Sequence, residues 1–572
     1  DFGNTYSKGL YDEDAWYVRN MVNNAAQITD EGIVYNIPTG GQIKETRSDK
    51  NAYTLRVQGN YNKVFSDKHR IAVIAGAERR ATKSSATSMN KVGWDDDMMT
   101  FKQIDEKTLA SKIQGTESLQ GYFQYSAGNA YTYNEDRYVS FYGNASYTFD
   151  ERATLTGSIR IDQSNLFGSD PKYQYRPLWS VGANYMILKN YRWIDRLSAR
   201  MTYGINGNIP KTKGPYLTIS SSGINTDIND YQYQVATPEN PGLRWEKTAV
   251  YNIGIDFNLF KNRLNGSIEF YNKSTSDLLH TKTLDPTLGW GSLTVNYGEM
   301  YNRGVEISLS SVNIRNKDFM WTSNFNFSYN KNKVTKLEVN SNGVSTYIGS
   351  AQTREGKPMN SIYSVRWAGL DEKGAPQAYK KDGTIVKSLA DLTVDDLVYC
   401  GTSTPPYAAS LNNELQYKNL SVSFLFTYYG GHKMRGVYGQ FLNNTGYSTN
   451  QDRLTGNFWR KPGDENNPNT TPAINVGAST NIQNLWKAAD KHMQKGDFIK
   501  LNQINVAYAI PNSILRRTFI RDLRVTLQID DVWKWVANNQ DLDPEVWSGA
   551  GLSSSRGQKA PTTYSLGLSC SF

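Results

Sequence analysis

The sequence predicts an all-β protein in the form of a transmembrane antiparallel β-barrel, on three observations. Aromatic residues make up 12% of the chain, with 38 Tyr and 46 Gly against 2 Cys and 4 His, a composition that favours strands, turns and rings at a membrane interface. Apolar and polar residues alternate over runs of roughly 10 to 15 residues, whereas the strands of soluble sandwiches average about 5 to 6. Along the chain, these runs are separated alternately by short links and by long polar stretches.

Three segments show the alternation clearly: WEKTAVYNIGIDFNL, FMWTSNFNFSYN and NLSVSFLFTYY, which begin at Trp245, Phe319 and Asn419. Because nearly every second side chain is apolar, an extended strand here has one apolar and one polar face. The sequence has no run of 18 or more apolar residues. That excludes a membrane-spanning helix but not a membrane barrel, whose strands need only alternate.

The alternation predicts about fifteen strands, an odd number where single-chain bacterial barrels have an even one, so the count is wrong or the barrel is incomplete. The predicted strands are 52–66, 69–82, 136–148, 152–163, 176–188, 194–206, 245–259, 263–280, 298–312, 318–335, 403–417, 419–430, 498–510, 521–535 and 562–572.

The links between strands are of two kinds. Short links include SDKH, FDER, FKNR and YKN, and long polar stretches lie near 83–135, 207–242, 337–402 and 431–496. Short turns at one rim and long loops at the other are typical of an outer-membrane barrel, whose long loops face the outside of the cell. Loops of this length are uncommon unless they are functional.

The chain ends in TTYSLGLSCSF, which alternates to its last residue. Tyr564, Leu566, Leu568 and Phe572 share one side of this strand, opposite Ser and Gly residues. In a membrane barrel these four side chains face lipid on the closing strand. The alternative is that Phe572 only anchors the rim.

Composition and motifs argue against several classes of function. The net charge of +9 is spread along the chain, which does not suit nucleic-acid binding. The four His residues are dispersed, and no nucleophile elbow or phosphate-binding loop is present in the sequence, so we expect no enzyme activity. Asp95, Asp96 and Asp97 offer oxygen ligands for a structural Ca²⁺, although such a run is more often a solvated loop face. No other cofactor is expected.

Three Trp residues in the long loops are candidate contacts for a cargo molecule: Trp290, Trp459 and Trp486. Sugar rings and peptide side chains both stack on such surfaces, with polar neighbours fixing their orientation. The competing interpretation for each is packing within the loop or contact with a partner protein.

Longer segments carry a family resemblance. ENPGLRWEKTAVYNIGIDFNLFKNRLNGSIEFYNKSTSDLL, VNYGEMYNRGVEISLSS and GDFIKLNQINVAYAIP, with the terminal Phe, resemble the barrel of SusC/RagA-type TonB-dependent outer-membrane transporters of the Bacteroidetes. The resemblance runs from about residue 119 to 572. The stretch QIDDVWKW and the loops 207–242, 337–402 and 431–496 depart from the family pattern, so the resemblance does not identify one cargo.

The resemblance implies active import of a large nutrient, a glycan or an oligopeptide. It also implies a SusD-like surface lipoprotein as lid, a dimer of transporter–lipoprotein pairs, and drive from TonB–ExbB–ExbD acting on a plug domain. The terminal strand with Tyr564, Leu566, Leu568 and Phe572 would be the signal for the barrel-assembly machinery. Two alternatives remain open, a soluble or surface-anchored glycan-binding adhesin and an ungated diffusion porin.

The strand count suggests how the chain is divided. Residues 1–51 are expected to form an extracellular loop segment, and 52–572 the C-terminal part of the barrel. The resemblance implies 22 strands, so about seven strands and the plug domain are expected outside this chain. We expect them in a separate, N-terminal part of the same transporter that was cut before Asp1, the alternatives being a truncated protein or an independently encoded half.

Overall fold

A computed structural model describes the chain except for a set of short internal segments. These are 111–112, 114–122, 126–127, 167–169, 171–174, 209–213, 226–227, 229, 286, 288, 338–342, 439–455, 475–478, 517 and 553–554. Among the described residues, no helix is both long and apolar enough to cross a membrane.

One antiparallel sheet of sixteen strands dominates the fold, and each strand pairs with its neighbours in chain order. The strands are Phe2–Tyr11, Gly41–Phe65, His69–Trp94, Ala130–Phe149, Ala153–Ser164, Pro177–Tyr191, Ile194–Asn208, Glu246–Leu259, Leu264–Thr283, Ser292–Arg315, Phe319–Lys336, Tyr407–Tyr417, Leu420–Gly430, Phe498–Ala509, Asp522–Val536 and Thr563–Ser571. The predicted all-β class and its long antiparallel strands are confirmed.

The described sheet has sixteen strands, one more than the approximately fifteen predicted. Each predicted strand overlaps an observed one, and the missed strand is Phe2–Tyr11, which pairs with 42–51. Residues 1–51 are therefore not a plain loop segment, since they also hold helix Trp16–Ala25 and a two-stranded hairpin. Asn4 and Lys8 interrupt the apolar row of this strand, so alternation did not reveal it.

The short links are left-handed turns built without glycine. Ser66 and Asp67 have φ of 51° and 56°, and Asp150 and Glu151 have φ of 48° and 54°. Two successive residues with positive φ match the right-handed twist of the flanking strands, as in type I′ hairpins. We call this rim the turn end, and the opposite rim, with the long links, the loop end.

Register fixes the two faces of the sheet. One row on the polar face crosses five strands through Ser267, Ser308, Asn326, Ser410 and Thr427. The adjacent row on the apolar face runs through Ile268, Ile307, Phe327, Ala409 and Tyr428. Large apolar side chains stay exposed on this second face, for example Ile268 at 46% and Leu155 at 58%. An apolar face this extensive requires an apolar environment.

The main buried core lies in the loops and not in the sheet. Residues of 344–402 and 485–489 form one apolar cluster, which we call the loop cap together with 432–438 and 490–495. Its elements are helices Val344–Gly349 and Thr480–Lys487, short strands Ser361–Ser364, Arg366–Leu370, Pro376–Tyr379, Ile385–Val386, Val398–Thr402, Lys433–Arg435 and Met493–Lys495, and 3₁₀ turns Leu389–Asp391, Val394–Asp396 and Asp490–His492. The Ser479 hydroxyl caps helix Thr480–Lys487, which buries Leu485 and Trp486.

The remaining short elements lie outside the loop cap. They are helices Glu106–Ala110 and Asn512–Leu515, the 3₁₀ turn Asp464–Asn466, and the paired strands Ala26–Thr29 with Gly32–Tyr35, Thr218–Asn225 with Asp230–Thr237, and Trp547–Ser548 with Ser555–Arg556.

Arg435 joins the segments of the loop cap. Its side chain is fully buried, and its guanidinium donates to Tyr363 O at 3.0 Å, Ser364 Oγ at 3.1 Å and Lys487 O at 3.2 Å. Its own carbonyl accepts from Trp547 Nε1 at 2.7 Å. Burial without a direct carboxylate partner lowers the pKa of Arg435. One side chain thus bridges two long loops, and its backbone engages a third.

His492 is buried beside Arg435. Its ring packs edge-on against Trp486 with centroids 4.5 Å apart, and burial, reinforced by Lys491 and Arg435, lowers its pKa from 6.5 to about 3. Burial also lowers the pKa of His432. Both rings are therefore neutral in the folded cap at neutral pH.

The two faces of strand Leu420–Gly430 should differ in their tolerance of charge. Phe424 shares the apolar face with Phe426, whereas Ser423 lies opposite Glu414 on the polar face. We expect Phe424→Lys to destabilise the assembled sheet by about 2–4 kcal/mol and Ser423→Lys to have little effect. Gel mobility without heating and yield in the membrane fraction report assembly, and equal values for the two variants would contradict the face assignment.

Removing the buried guanidinium should loosen the loop cap without unfolding the sheet. Arg435→Met leaves several carbonyl acceptors unpaired, so we expect the free energy of unfolding of the cap to fall by on the order of 3 kcal/mol. Limited proteolysis measures this as faster cleavage within 337–402 and 431–496. The control Arg354→Met removes a surface ion pair with Asp395 and should change cleavage little. Similar cleavage of the two variants would rule out the bridging role of Arg435.

Acid should destabilise the loop cap through its buried histidines. A folded-state pKa of about 3 for His492 means that the unfolded cap binds the proton more readily, so stability is full above about pH 6.5. It then falls by about 1.4 kcal/mol per pH unit as the pH drops towards 3. His492→Phe should flatten most of this slope and leave the smaller part due to His432. Proteolysis rates at pH 7, 6, 5 and 4 measure it, with His69→Phe, in the sheet, as the control that should keep the wild-type slope.

Candidate functional site

The polar face carries an ion-pair network across three strands. Arg200 Nε donates to Asp256 Oδ2 at 3.1 Å, and its Nη2 pairs with Glu269. Glu269 also accepts from Asn252 Nδ2 at 3.1 Å. Gly254 lies opposite both Arg200 and Glu269 in register, and a Cβ there would approach Arg200 Nε to 2.9 Å. The glycine therefore leaves the space in which Arg200 crosses to Glu269.

A groove of about 290 Å³ lies next to this network and is lined on five strands by Glu269, Glu306, hydroxyl or amide side chains, and apolar side chains such as Ile307 and Phe327. Glu269 and Glu306 face each other directly in the ladder. Glu269 and Glu306 are the charged side chains in the groove lining, so the lining is net negative. It offers acceptors to a polar or cationic molecule, or to a protein segment that fills the space beside the wall.

A second charged cluster ties the loop end to the sheet. Lys500 Nζ lies 2.5 Å from Asp531 Oδ1 and 3.3 Å from Glu545 Oε2, and Lys534 Nζ lies 2.8 Å from Asp543 Oδ2. Asp543 and Glu545 belong to the link after strand Asp522–Val536. These pairs hold that link against the polar face.

Trp486 is a packing residue of the loop cap. Its side chain is 2% exposed, Trp367 packs on it with ring centroids 5.3 Å apart, and Lys491 Nζ lies 4.9 Å above its ring. Burial lowers the pKa of Lys491, whose Nζ donates to Pro468 O at 2.8 Å. Because a buried ring is not accessible to cargo, we do not retain Trp486 as a cargo contact.

Trp459 and Trp290 are half-buried and lie in different links. Trp459 Nε1 donates to Glu465 Oε2 at 2.9 Å, and this hydrogen bond is the main cause that lowers the pKa of Glu465. A Cβ on Gly374 would lie 2.7 Å from the Trp459 ring, so this ring packs on backbone. Trp290 lies between strands Leu264–Thr283 and Ser292–Arg315. Cargo contact by these two residues stays a prediction.

Asp95, Asp96 and Asp97 do not converge on a cation. Asp95 Oδ1 accepts from the backbone N–H groups of Asp97 and Met98, and Asp96 Oδ1 accepts from Trp94 Nε1. Within the described part of the chain, no group of three or more His, Cys, Asp or Glu side chains is arranged to hold a metal ion. A structural Ca²⁺ at these residues stays a prediction.

The terminal strand presents the expected apolar row. Tyr564, Leu566, Leu568 and Phe572 are between 69% and 79% exposed, and Phe572 stacks on Phe519 with centroids 5.5 Å apart. Strand Thr563–Ser571 pairs with Asp522–Val536 on one side. Its role as an assembly signal stays a prediction.

Sequence reasoning missed the charged wall of Arg200, Asp256 and Glu269. The sequence did carry a signal. These residues occupy polar positions of alternating strands, and a charge is excluded from the lipid side, so they had to lie on the polar face. Arg200 and Glu269 are 69 residues apart in the chain, and their contact depends on the register between strands. Alternation alone does not give that register.

Comparison with known proteins agrees with this architecture. Residues 1–457 match the family model described as TonB dependent receptor-like, beta-barrel. TonB-dependent receptor P39 of Formosa agariphila is 27% identical over 85% of this chain and 49% of its own length. TonB-dependent receptor SusC of Bacteroides thetaiotaomicron is 24% identical over 76% of this chain and 44% of its own length. The chain thus spans about half the length of these relatives.

Solved structures show the same fold. The RagAB peptide importer in its 'open-open' state aligns over 100% of this chain and 58% of its own, with a TM-score of 0.76 and 22% identity. The RagAB peptide transporter aligns over 93% of this chain and 56% of its own, with a TM-score of 0.73 and 24% identity. The predicted resemblance to SusC/RagA-type proteins is confirmed, and the chain belongs to the TonB-dependent receptor-like β-barrel family.

Proposed function

We propose that this chain is the larger part of the barrel of a TonB-dependent importer that carries a large nutrient, an oligopeptide or a glycan, across the outer membrane. The observation that carries the proposal is the sheet with two unlike faces, one exposed and apolar, the other polar and lined by the Arg200 network. The apolar face suits contact with lipid, and the polar face suits an aqueous passage. The family lies in the outer membrane.

The barrel is closed by further strands. In the described sheet, Phe2–Tyr11 and Thr563–Ser571 are the two end strands, each with one neighbour. A sheet that spans a membrane must be closed, because an unpaired edge in lipid is costly. The further strands, with a plug domain, come in this proposal from the rest of the same transporter. The relatives, about twice as long, support this arrangement.

The partners follow from the same proposal. TonB–ExbB–ExbD acts on the plug-bearing part, and a SusD-like lipoprotein lies on the loop cap, in a dimer of transporter–lipoprotein pairs. The cap supports this because it is a rigid folded unit at the loop end, where a lid would dock. The likeness to RagAB, described as a peptide importer, and to SusC supports a large nutrient as cargo.

Uptake measurements separate the proposal from its alternatives. Cells that carry the transporter should accumulate a fluorescent oligopeptide or oligosaccharide, and a protonophore should abolish accumulation at unchanged surface binding. Deleting 439–455 should lower uptake at least tenfold and keep barrel assembly, since it spares Arg435 and Trp486. Accumulation that survives the protonophore would indicate a porin, and binding without accumulation an adhesin.

A further inference from the structure

Two adjacent turns at the turn end form an exposed aromatic and basic surface. Trp193 and Phe260 stack with ring centroids 5.5 Å apart and planes 18° from parallel. Both are about half exposed, at 52% and 50%, as is Tyr191 at 51%. Arg192 lies over the Tyr191 ring at 5.4 Å, and Lys261 follows Phe260 in the next turn. We call these five residues the turn-end patch.

The turns of the patch are rigid. Phe260, Lys261 and Asn262 all have positive φ, of 57°, 58° and 59°, and Arg192 has φ of 54°. Bulky residues rarely adopt this conformation, so the surroundings must hold it. The holding contacts are Phe260 N to Trp193 O at 2.8 Å and Asn262 N to Asp195 Oδ2 at 2.8 Å.

The cations of the patch have no acidic partner. Arg192 and Lys261 are exposed, and among the described residues neither forms an ion pair. Asp195 accepts the Asn262 N–H and Glu151 lies 4.0 Å from Lys189, so neither carboxylate is paired with Arg192 or Lys261. Two positive charges are therefore free to meet an external anion.

The position of the patch selects the anion. In outer-membrane barrels the short turns face the periplasm, so the turn end lies at the inner leaflet. The aromatic pair is exposed at the end of the strand on which Ile255 is also 45% exposed, and aromatic rings prefer the level of lipid headgroups. Arg and Lys at that level meet lipid phosphates.

We propose that the turn-end patch is a binding site for an anionic phospholipid of the inner leaflet. Arg192 and Lys261 hold the headgroup phosphate, and Trp193 and Phe260 pack against the glycerol and upper acyl chains. The inference depends on membrane residence and not on import, so a failure of the uptake experiment leaves it intact.

Native mass spectrometry of the purified transporter, titrated with phosphatidylglycerol, tests the site. Each variant is first shown to be folded by its mobility on an unheated gel. Arg192→Gln and Lys261→Gln should each weaken binding of the lipid on the order of fivefold, and the double variant on the order of 20-fold. The exchange R192K/K261R should stay within threefold of wild type, and phosphatidylcholine should bind several-fold more weakly to wild type.

The matched control is R460Q/K461Q at the loop end. It removes the same charge, and Arg460 also lies over an aromatic ring, that of Phe458 at 4.7 Å, but at the opposite rim. Binding of phosphatidylglycerol by R460Q/K461Q should match wild type within twofold. The proposal is overturned if R192Q/K261Q binds within twofold of wild type, or if it loses no more than the control. A photo-crosslinker at Trp193 that captures a periplasmic protein in cells, and no lipid, would also overturn it.

Discussion

The backbone ladder of the sixteen-stranded sheet is the constraint on which the rest of the structure depends. In lipid, each backbone N–H and C=O must find a partner within the protein, and a closed antiparallel sheet is one of two ways to achieve this. Strand length, the tight turns and the alternation of side chains all follow from that requirement. The sheet needs no packed interior, and its residues are chosen by which solvent each face meets.

This division explains where charge is found. The network of Arg200, Asp256 and Glu269 lies wholly on the polar face, as does the pairing of Lys500 with Asp531 near the loop end. Small residues on this face leave steric room for such contacts, since Gly254 lets the Arg200 side chain cross a strand. The apolar face offers no such freedom, because a charge there costs about 2–4 kcal/mol at the midplane.

Alternation predicted fifteen of the sixteen strands because lipid imposes a period of two on the sequence. It missed Phe2–Tyr11, where Asn4 and Lys8 interrupt the pattern. Alternation could not predict the packing of the loops, for another reason. Trp486 and Arg435 owe their burial to partners 70 or more residues away, such as Tyr363 and Trp547, and a single sequence gives no sign that two polar stretches pack together.

The bridging by Arg435 also bears on the order of folding. Its contacts reach back 72 residues to Tyr363 and forward 112 residues to Trp547, and strands of the sheet lie between these points. Closing chain loops of that length costs conformational entropy, and this cost is offset only when the contacts between the loops form late in folding. The paired strands bring the three loops to one rim, which reduces the conformational search needed for the loops to find each other. The loop cap therefore forms after the sheet has reached its register, so the last part of the molecule to become ordered is the part that faces outward.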